Sequence, residues 1–325
     1  MFALTLGQLA GRGQRGHKKR HMRIGSETMA QETVGFVGVG LMGHGMAKNI
    51  LAAGYPVTVI AHRNRAPIDD LVGLGASEAA SLADLAAASS IIHICAPGSP
   101  QVEAIVAEML PHLQAGCVIV DCSTADPTST EKLAAQLVDI GCFMADAPLG
   151  GTPVQSEDGA LAAMVGAAPA VFERIKPVLD TWAGAIAHMG PSGAGHKMKL
   201  LNNMLAMGYA AMYSEALALS EKVGITTQQF DSVISGSRMD CGFYQTFRSY
   251  AVDGNVEAHK FTITNALKDM RYLEAMADTV NLSNPVGNAI KNSLALAYAD
   301  GGDSAEAYVP HLVDYVAKRN GVKRG

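Results

Sequence analysis

The segment Val34-Gly35-Phe36-Val37-Gly38-Val39-Gly40-Leu41-Met42-Gly43 joins a short apolar run to a glycine-rich turn, and a helical pattern follows over residues 44–53. In such a turn Gly38 permits the tight reversal, Gly40 lets the backbone approach a pyrophosphate, and Gly43 lets the helix pack closely on the strand. The N-terminus of the helix then faces negative charge. We therefore predict a dinucleotide-binding turn rather than a tight turn with a purely structural role.

Apolar runs and helical patterns alternate beyond this turn. Strand-like runs occupy residues 34–37, 57–60, 91–95, 118–121, 143–147, 162–165 and 185–189. This alternation predicts a doubly wound parallel sheet with its chemistry at the carboxyl ends of the strands. From residue 193 helical periodicity dominates, and it includes one long helix ending near residue 224. We predict an α/β fold with an N-terminal extension over 1–31, a Rossmann domain over 32–191, and an all-helical substrate and oligomerisation domain over 192–325.

The composition narrows the class of protein. The chain has 325 residues, of which 49% are hydrophobic and 17% charged, and its net charge is -5. These values predict a folded two-domain protein and disfavour a nucleic-acid partner. No apolar run reaches the roughly 18 residues that a membrane span needs. The five cysteines form no CxxC pair and the ten histidines no ligand cluster, so we expect neither a metal site nor a disulfide framework.

The first 31 residues are basic, with Lys18, Lys19 and Arg20 in one run, and they lack the apolar core of a secretory signal. Three interpretations remain open: an overlong start whose true initiator is Met22 or Met29, a cloning remnant, or an organellar presequence. We favour the overlong start and expect this segment to be disordered. The expected location is the cytoplasm, or an organellar matrix if the segment is a presequence.

The end of the second predicted strand indicates the cofactor. An NAD site usually places an Asp or Glu there for the ribose 2′-hydroxyl, whereas this chain reads Ala61-His62-Arg63-Asn64-Arg65. Cations at this position suit the 2′-phosphate of NADP. We predict NADP over NAD, with His62, Arg63 and Arg65 as cofactor residues. The alternative is that the two arginines are solvated loop charges.

Two later segments carry a family resemblance, Asp146-Ala147-Pro148-Leu149-Gly150-Gly151-Thr152-Pro153 and Gly193-Ala194-Gly195-His196-Lys197-Met198-Lys199-Leu200-Leu201-Asn202-Asn203. With the glycine-rich turn, Asp121-Cys122-Ser123-Thr124 and the pair Lys268-Asp269, they resemble the β-hydroxyacid dehydrogenase family, typified by 3-hydroxyisobutyrate and tartronate semialdehyde dehydrogenases. The resemblance covers residues 34–314. It implies an NAD(P)-dependent oxidoreductase for small hydroxy acids or semialdehydes, assembled as a dimer or tetramer through its helical domain.

The same resemblance implies roles for single residues. It places the catalytic lysine at Lys199, a substrate-binding amide at Asn203 and a cofactor-side lysine at Lys268, and it places Phe261 where it can line the substrate pocket. Lys199 and Asn203 also share one helix face by their spacing, and a partly desolvated lysine can exchange a proton with a hydroxyl oxygen. The remaining implied contacts are Leu41, Met42, Ala96, Pro97 and Thr124 for the cofactor, and Ser123, Gly150, Gly151 and Thr152 for the substrate.

One motif departs from the family pattern. Where the family has DAPVSGG this chain has DAPLGGT, so Gly150 replaces the serine that usually holds the substrate carboxylate. The amides of Gly150 and Gly151 and the hydroxyl of Thr152 can form an anion site instead. The substrate head group is therefore open, but the reaction class is unchanged. We predict interconversion of a small 3-hydroxy acid and its semialdehyde, with Lys199 as general acid or base.

Three other functions remain as alternatives. An imine reductase shares the scaffold but lacks the lysine at position 199, and a 6-phosphogluconate-type dehydrogenase needs a larger helical domain and more cations. A catalytically silent dinucleotide-binding protein would have lost the same lysine. The presence of Lys199 disfavours the first and the last.

Overall fold

The computed structural model describes residues 31–324, so the extension predicted over 1–31 lies, apart from Gln31, outside the described residues. The strands, numbered β1 to β9 in chain order, are Val34–Val37, Val57–Ile60, Ser77–Ala79, Ile91–Ile94, Val118–Asp121, Phe143–Asp146, Leu149–Gly150, Leu161–Gly166 and Ala183–Gly190. The helices α1 to α7 that alternate with them are Gly43–Ala52, Ala66–Gly73, Leu82–Ala88, Ser99–Met109, Pro127–Asp139, Pro153–Glu157 and Pro169–Leu179.

The strands form one sheet in the order β3-β2-β1-β4-β5-β6-β8-β7, with β9 paired to β8. The pairs from β3 through β6 are parallel, and every residue of β1, β4 and β5 is buried. This is typical of a sheet with helices on both faces. One apolar cluster around Phe36 and Trp182 and another around Ile92 and Ile119 fill the spaces between sheet and helices.

The second half of the chain is helical. It begins with the 29-residue helix α8, Ala194–Lys222, and continues with α9 to α13, which are Thr227–Ile234, Gly242–Ala251, Ile263–Thr279, Pro285–Ala297 and Leu312–Arg319. Helices α11, α12 and α13 all pack on α8, around a core that contains Leu200, Met207 and Met270. No helix within residues 31–324 combines the length and hydropathy needed to cross a membrane.

The predicted fold class, a Rossmann domain followed by a helical region, is confirmed. The predicted parallel pairing holds from β3 to β6, and one edge of the sheet departs from it, because β8 runs antiparallel to β6 and β7. The link from β6 to β8 contains only β7 and the five-residue helix α6, not the long crossover that parallel strands require. The exact domain boundaries at residues 31 and 191 stay a prediction.

Candidate active site

The glycine-rich turn has the shape of a phosphate cradle. Gly38 has a φ of 95°, and a Cβ there would lie 2.1 Å from the carbonyl oxygen of Cys95, while a Cβ on Gly43 would lie 2.1 Å from the oxygen of Gly38. A Cβ on Gly40 would meet no atom within 4 Å, so a ligand can approach that backbone closely. No side chain caps the first turn of α1 and no acidic residue lies in it, which suits a bound pyrophosphate. Leu41 and Met42 complete the turn, with Leu41 67% exposed.

The basic side chains after β2 differ in whether they are already paired with an acidic residue. Arg65 forms ion pairs with Asp69 (2.8 Å) and with Glu78 on β3 (2.9 Å). His62 and Arg63 are exposed, and their side chains form no hydrogen bond or ion pair with any residue between 31 and 324. The structure therefore leaves Arg63 as the arginine of this loop that is free to meet a phosphate.

Lys268 joins two of the predicted cofactor loops. Its Nζ donates to the carbonyl oxygens of Pro97 (2.6 Å) and Thr124 (2.7 Å) and lies 3.1 Å from Oδ1 of Asp269. The loops are also joined directly, because the amide of Ala96 donates to Oγ of Ser123 at 2.9 Å. Helix α11 thus holds together the ends of β4 and β5, where the chemistry of a doubly wound sheet is expected.

The predicted catalytic lysine lies close to a buried carboxylate. Asn203, one turn after Lys199 on α8, is 4% exposed and donates from Nδ2 to Oδ2 of Asp269 at 2.7 Å. Burial raises the pKa of Asp269, although Lys268, Lys199 and the Asn203 bond oppose the shift. The Nζ of Lys199 forms no hydrogen bond with the described residues. Burial lowers the pKa of Lys199; Asp269 raises it and Lys268 lowers it, and the net shift is downward.

The start of α8 is fixed by a carboxylate to which the sequence analysis gave no role. Asp146, at the end of β6, accepts from the amides of Gly193 (Oδ1, 2.6 Å) and His196 (Oδ2, 2.6 Å), so it caps the helix that carries Lys199. Burial raises the pKa of Asp146, against the charge of His196 and its two amide bonds. Gly195 is required here because a Cβ would lie 2.2 Å from the oxygen of Met164 on β8.

The side chain of His196 ties the same turn to the loop after β5. It is fully buried, with Nε2 3.1 Å from the carbonyl oxygen of Ser123 and Nδ1 2.8 Å from Oγ of Thr130. Asp121, also fully buried, holds the amide of Ser123 at 2.9 Å. Asp146 and His196 both belong to the two segments that carry the family resemblance. The sequence therefore marked these residues, but it did not indicate what they do.

Part of the segment predicted as an anion site already serves to cap helix α6. Thr152 caps α6 with Gln155: its amide donates to Oε1 of Gln155 at 2.9 Å and its Oγ accepts from the amide of Gln155 at 3.3 Å. Gly151 has a φ of 133°. Gly150 lies on β7, which pairs with β8 beside α8. A Cβ on Gly150 would meet Ala162 Cβ at 3.5 Å, an ordinary contact.

Beside Lys199 lies a histidine that the sequence did not indicate. His259 precedes the half-buried Phe261, whose ring centroid is 6.0 Å from the imidazole, and Phe243 approaches it edge-on at 5.9 Å. Burial lowers the pKa of His259, and the ammonium of Lys199 lowers it further. Its position in an irregular segment, outside any motif, gave no signal in the sequence.

Family models cover most of the chain. Residues 33–190 match the NAD-binding domain of 6-phosphogluconate dehydrogenase, and residues 193–310 match the NAD-binding domain of NADP-dependent 3-hydroxyisobutyrate dehydrogenase. The site between β4, β5, α8 and α11 falls inside these matches, whereas α13 lies beyond them.

Individual proteins similar to this chain include dehydrogenases of hydroxy acids. The 2-(hydroxymethyl)glutarate dehydrogenase of Eubacterium barkeri is 37% identical over 69% of this chain and 72% of that protein. The 3-hydroxyisobutyrate dehydrogenase of Pseudomonas aeruginosa is 31% identical over 82% of this chain and 93% of its own length. A solved structure of a Mycobacterium tuberculosis 3-hydroxyisobutyrate dehydrogenase superposes with a TM-score of 0.77 at 25% identity, covering 86% of this chain and 98% of the other.

Proposed function

Since the chain belongs to the β-hydroxyacid dehydrogenase family and is an NAD(P)-dependent hydroxyacid dehydrogenase, we propose that Lys199 is its general acid and base and that its substrate is a small 3-hydroxy acid or the matching semialdehyde. The relatives named above are called dehydrogenases of 2-(hydroxymethyl)glutarate and 3-hydroxyisobutyrate. In both compounds a primary hydroxyl stands on the carbon next to the one that bears a carboxylate. The bound nicotinamide supplies the acceptor or donor of the hydride.

The proposed role of Lys199 rests on one observation. Its ammonium lies near the buried pair Asn203 and Asp269 and has no hydrogen bond within residues 31–324, and burial together with the charge of Lys268 lowers its pKa although Asp269 opposes the shift. In oxidation the neutral amine takes the hydroxyl proton as the hydride leaves the carbon. In reduction the ammonium returns a proton to the carbonyl oxygen. Asn203, with its amide nitrogen bonded to Asp269, is held in place to orient the substrate.

The test compares Lys199→Met with Lys197→Met. Lys197 is two residues away on the same helix, exposed and paired with Glu131 at 2.6 Å, so it is a matched control. We expect Lys199→Met to lower kcat by a factor of roughly 100 to 10,000, the usual contribution of a general acid or base, with NADPH affinity retained. Lys197→Met should behave as the wild type. Binding of NADPH without turnover by the wild-type protein would instead favour a silent dinucleotide-binding protein.

We propose NADP rather than NAD as the preferred cofactor. The support is the unpaired Arg63, with His62 beside it and no acidic residue between 61 and 65. The predicted contacts from Gly38, Gly40, Gly43, Leu41, Met42, Ala96, Pro97 and Thr124 fit this proposal by position. Lys268 would act indirectly, since its three donor directions are taken by Pro97, Thr124 and Asp269.

The substrate contacts of Ser123, Gly150, Gly151, Thr152 and Phe261 also remain proposals. Ser123 is 3% exposed and its Oγ already accepts the Ala96 amide, so its free capacity is as a donor toward a carboxylate. The amide of Thr152 is engaged by Gln155 and that of Gly150 by the pairing of β7 with β8, which leaves Gly151 as the candidate amide of the anion site, with Gly150 proposed only by its position.

We propose a homodimer or homotetramer joined through α8. Six side chains spaced as in a heptad lie along one face of this helix and are between 38% and 66% exposed: Met198, Leu201, Leu205, Tyr209, Met212 and Leu219. We call them the apolar stripe of α8. A row of exposed apolar side chains along one helix face is typical of a protein interface. Leu219 also borders an open groove between α8, α12 and α13.

A cytoplasmic location is proposed on the state of the cysteines. The cysteines at 95, 117, 122, 142 and 241 are all free, and burial raises the pKa of Cys95 and Cys117 to about 12 in each case. Such inert buried thiols are usual in a reducing compartment. Fractionation of cells expressing a tagged chain would test it.

A further inference from the structure

Helix α6 follows directly on residues 150–152, the segment proposed as the anion site, and it is too short to hold its own position. It has five residues, of which only Ser156 is buried, and Val154 is 69% exposed. A helix of this length has little stability in isolation. The strand before it, β7, has two residues. Contacts with a neighbouring element therefore determine where the anion-site segment lies.

That neighbouring element is α1, the helix that begins at the glycine-rich turn. Its residues Met46 and Ile50 are fully buried in the core against the sheet, so α1 is fixed independently of α6. The two helices meet closely, because a Cβ on Gly45 would lie 2.5 Å from the carbonyl carbon of Ser156. Nδ2 of Asn49 donates to the carbonyl oxygen of Ser156 at 3.0 Å. The cofactor helix thus supports the short helix beside the proposed anion site.

Four charged side chains complete this contact. His44, in the first turn of α1, lies with Nδ1 2.7 Å from Oε1 of Glu157 on α6 and with Nε2 2.9 Å from Oδ2 of Asp70 on α2. Nζ of Lys48 donates to the other oxygen of Glu157 at 2.9 Å. Because ionised carboxylates only accept hydrogen bonds, both ring nitrogens of His44 donate and the ring is an imidazolium. We call these four side chains the His44 cluster.

The pKa values agree with this charge. Burial lowers the pKa of His44, but the bonds to Glu157 and Asp70 raise it, and the net shift is upward. Burial raises the pKa of Glu157, and the bonds from His44 and Lys48 more than offset this. The cluster is therefore complete while His44 is protonated, and it loses one bond as the pH rises through the raised pKa of His44. The charged side chains on α1, α2, α6 and their caps are Lys48, Arg65, Asp69, Asp70, Glu157 and Asp158, of which Asp69 is paired with Arg65.

Resting on the proposed function, we propose that His44 and Glu157 are positioning residues for the substrate. The His44 cluster holds α6 against the cofactor helix and thereby places the amide of Gly151 where the substrate anion binds. Without the cluster, α6 and the segment before it would move away from the cofactor turn, and the substrate would bind more weakly. Lys199 lies on α8, which Asp146 fixes separately, so its proton exchange would be retained.

Hydrogen exchange tests the position of the segment without a substrate. In His44→Ala the amides of residues 151–160 should exchange about three- to tenfold faster than in the wild type, the modest effect of partly exposed ion pairs. Glu157→Gln changes the other side of the contact and should have the same direction of effect. His112→Ala is the control, at an exposed histidine in the turn after α4, and should match the wild type. Unchanged exchange in both His44→Ala and Glu157→Gln would overturn the inference.

Initial rates with NADP+ and 3-hydroxyisobutyrate test the consequence for the reaction. His44→Ala should raise the KM for the hydroxy acid about three- to tenfold and change kcat less than about twofold. His44→Gln can still donate to one carboxylate and should restore part of the wild-type KM, while His112→Ala should keep it. A lower kcat at an unchanged KM would contradict the positioning role. Absence of turnover by the wild type would count against the proposed function, and the exchange rates would still decide this inference.

The same rates measured over a range of pH test the charge of His44. The ratio of the KM of His44→Ala to that of the wild type should be largest at low pH, where the imidazolium bonds both carboxylates. It should fall as the pH rises through the pKa of His44. A ratio that stays constant would contradict the assignment of His44 as a charged positioning residue.

Discussion

At the scale of single residues, most charged side chains of the site are already bonded to other residues of the protein. Asp269 is shared between Asn203 and Lys268, and Lys268 is committed to two loop carbonyls. Among residues 31–324, Lys199 finds no hydrogen-bond partner, and it lies in a position where its charged form is disfavoured. Such a group is suited to exchanging a proton with a substrate and poorly suited to a structural role.

The pH dependence of turnover follows from these charges. Oxidation needs the neutral amine of Lys199, so its rate should rise with pH and level off below the pKa of an ordinary lysine, near 10.4. Asp269 raises the pKa of Lys199, so Asp269→Asn should move the midpoint of the profile to lower pH. Initial rates over a range of pH measure this shift. Asp278→Asn, an exposed position on the same helix, is the control, and a midpoint moving upward in Asp269→Asn would contradict the prediction.

The proposed preference for NADP rests on one residue, Arg63. Arg63→Ala should weaken NADPH binding by about tenfold while leaving NADH binding nearly unchanged, because only NADPH carries the phosphate. Arg65→Ala should have a smaller effect on this selectivity, since its guanidinium is paired with Asp69 and Glu78. Fluorescence titration with both cofactors gives the four affinities. Equal losses for NADPH and NADH in Arg63→Ala would remove the case for NADP.

At the scale of elements, α8 is the part whose placement matters most, because Asp146 sets its start and His196 ties it to the β5 loop. In Asp146→Asn one oxygen becomes a donor facing a backbone amide. We expect a loss of about 1–3 kcal/mol in the free energy of unfolding, and a lower kcat because Lys199 is displaced. Urea unfolding and initial rates measure both. The control is Asp139→Asn, an exposed position at the end of α5, and equal stabilities of the two variants would be inconsistent with the cap.

The sequence predicted most of these elements because their signals are local. The strands β1, β2, β4, β5 and β6 are apolar runs, and α8 has a long helical periodicity. The strands β3 and β7 were missed, since Ser77–Ala79 and Leu149–Gly150 are too short to form a pattern. The direction of β8 and the setting of His259 depend on contacts between distant segments. Those contacts come from packing of the whole chain, which periodicity does not encode.

At the scale of the whole molecule, the apolar stripe of α8 predicts self-association. Leu205→Lys combined with Met212→Lys places two charges on the stripe, and we expect the protein to sediment as a monomer. Leu74→Lys, at a 54% exposed leucine beyond α2, is the matched control and should keep the wild-type assembly. Sedimentation velocity at several concentrations distinguishes the two. An unchanged assembly in the double variant would place the interface elsewhere.

The 29 residues of α8 form one continuous rod of about 43 Å, and Lys199, the proposed general acid and base, lies near its first end. In the proposed oligomer, α8 is held at the sheet by Asp146 and packed along its apolar stripe against a second copy, so it has little freedom to tilt. Dilution would dissociate the two copies, and the amine of Lys199 would then be held less firmly against the substrate. Specific activity would then fall as the enzyme is diluted, and its recovery on reconcentration would trace the association curve.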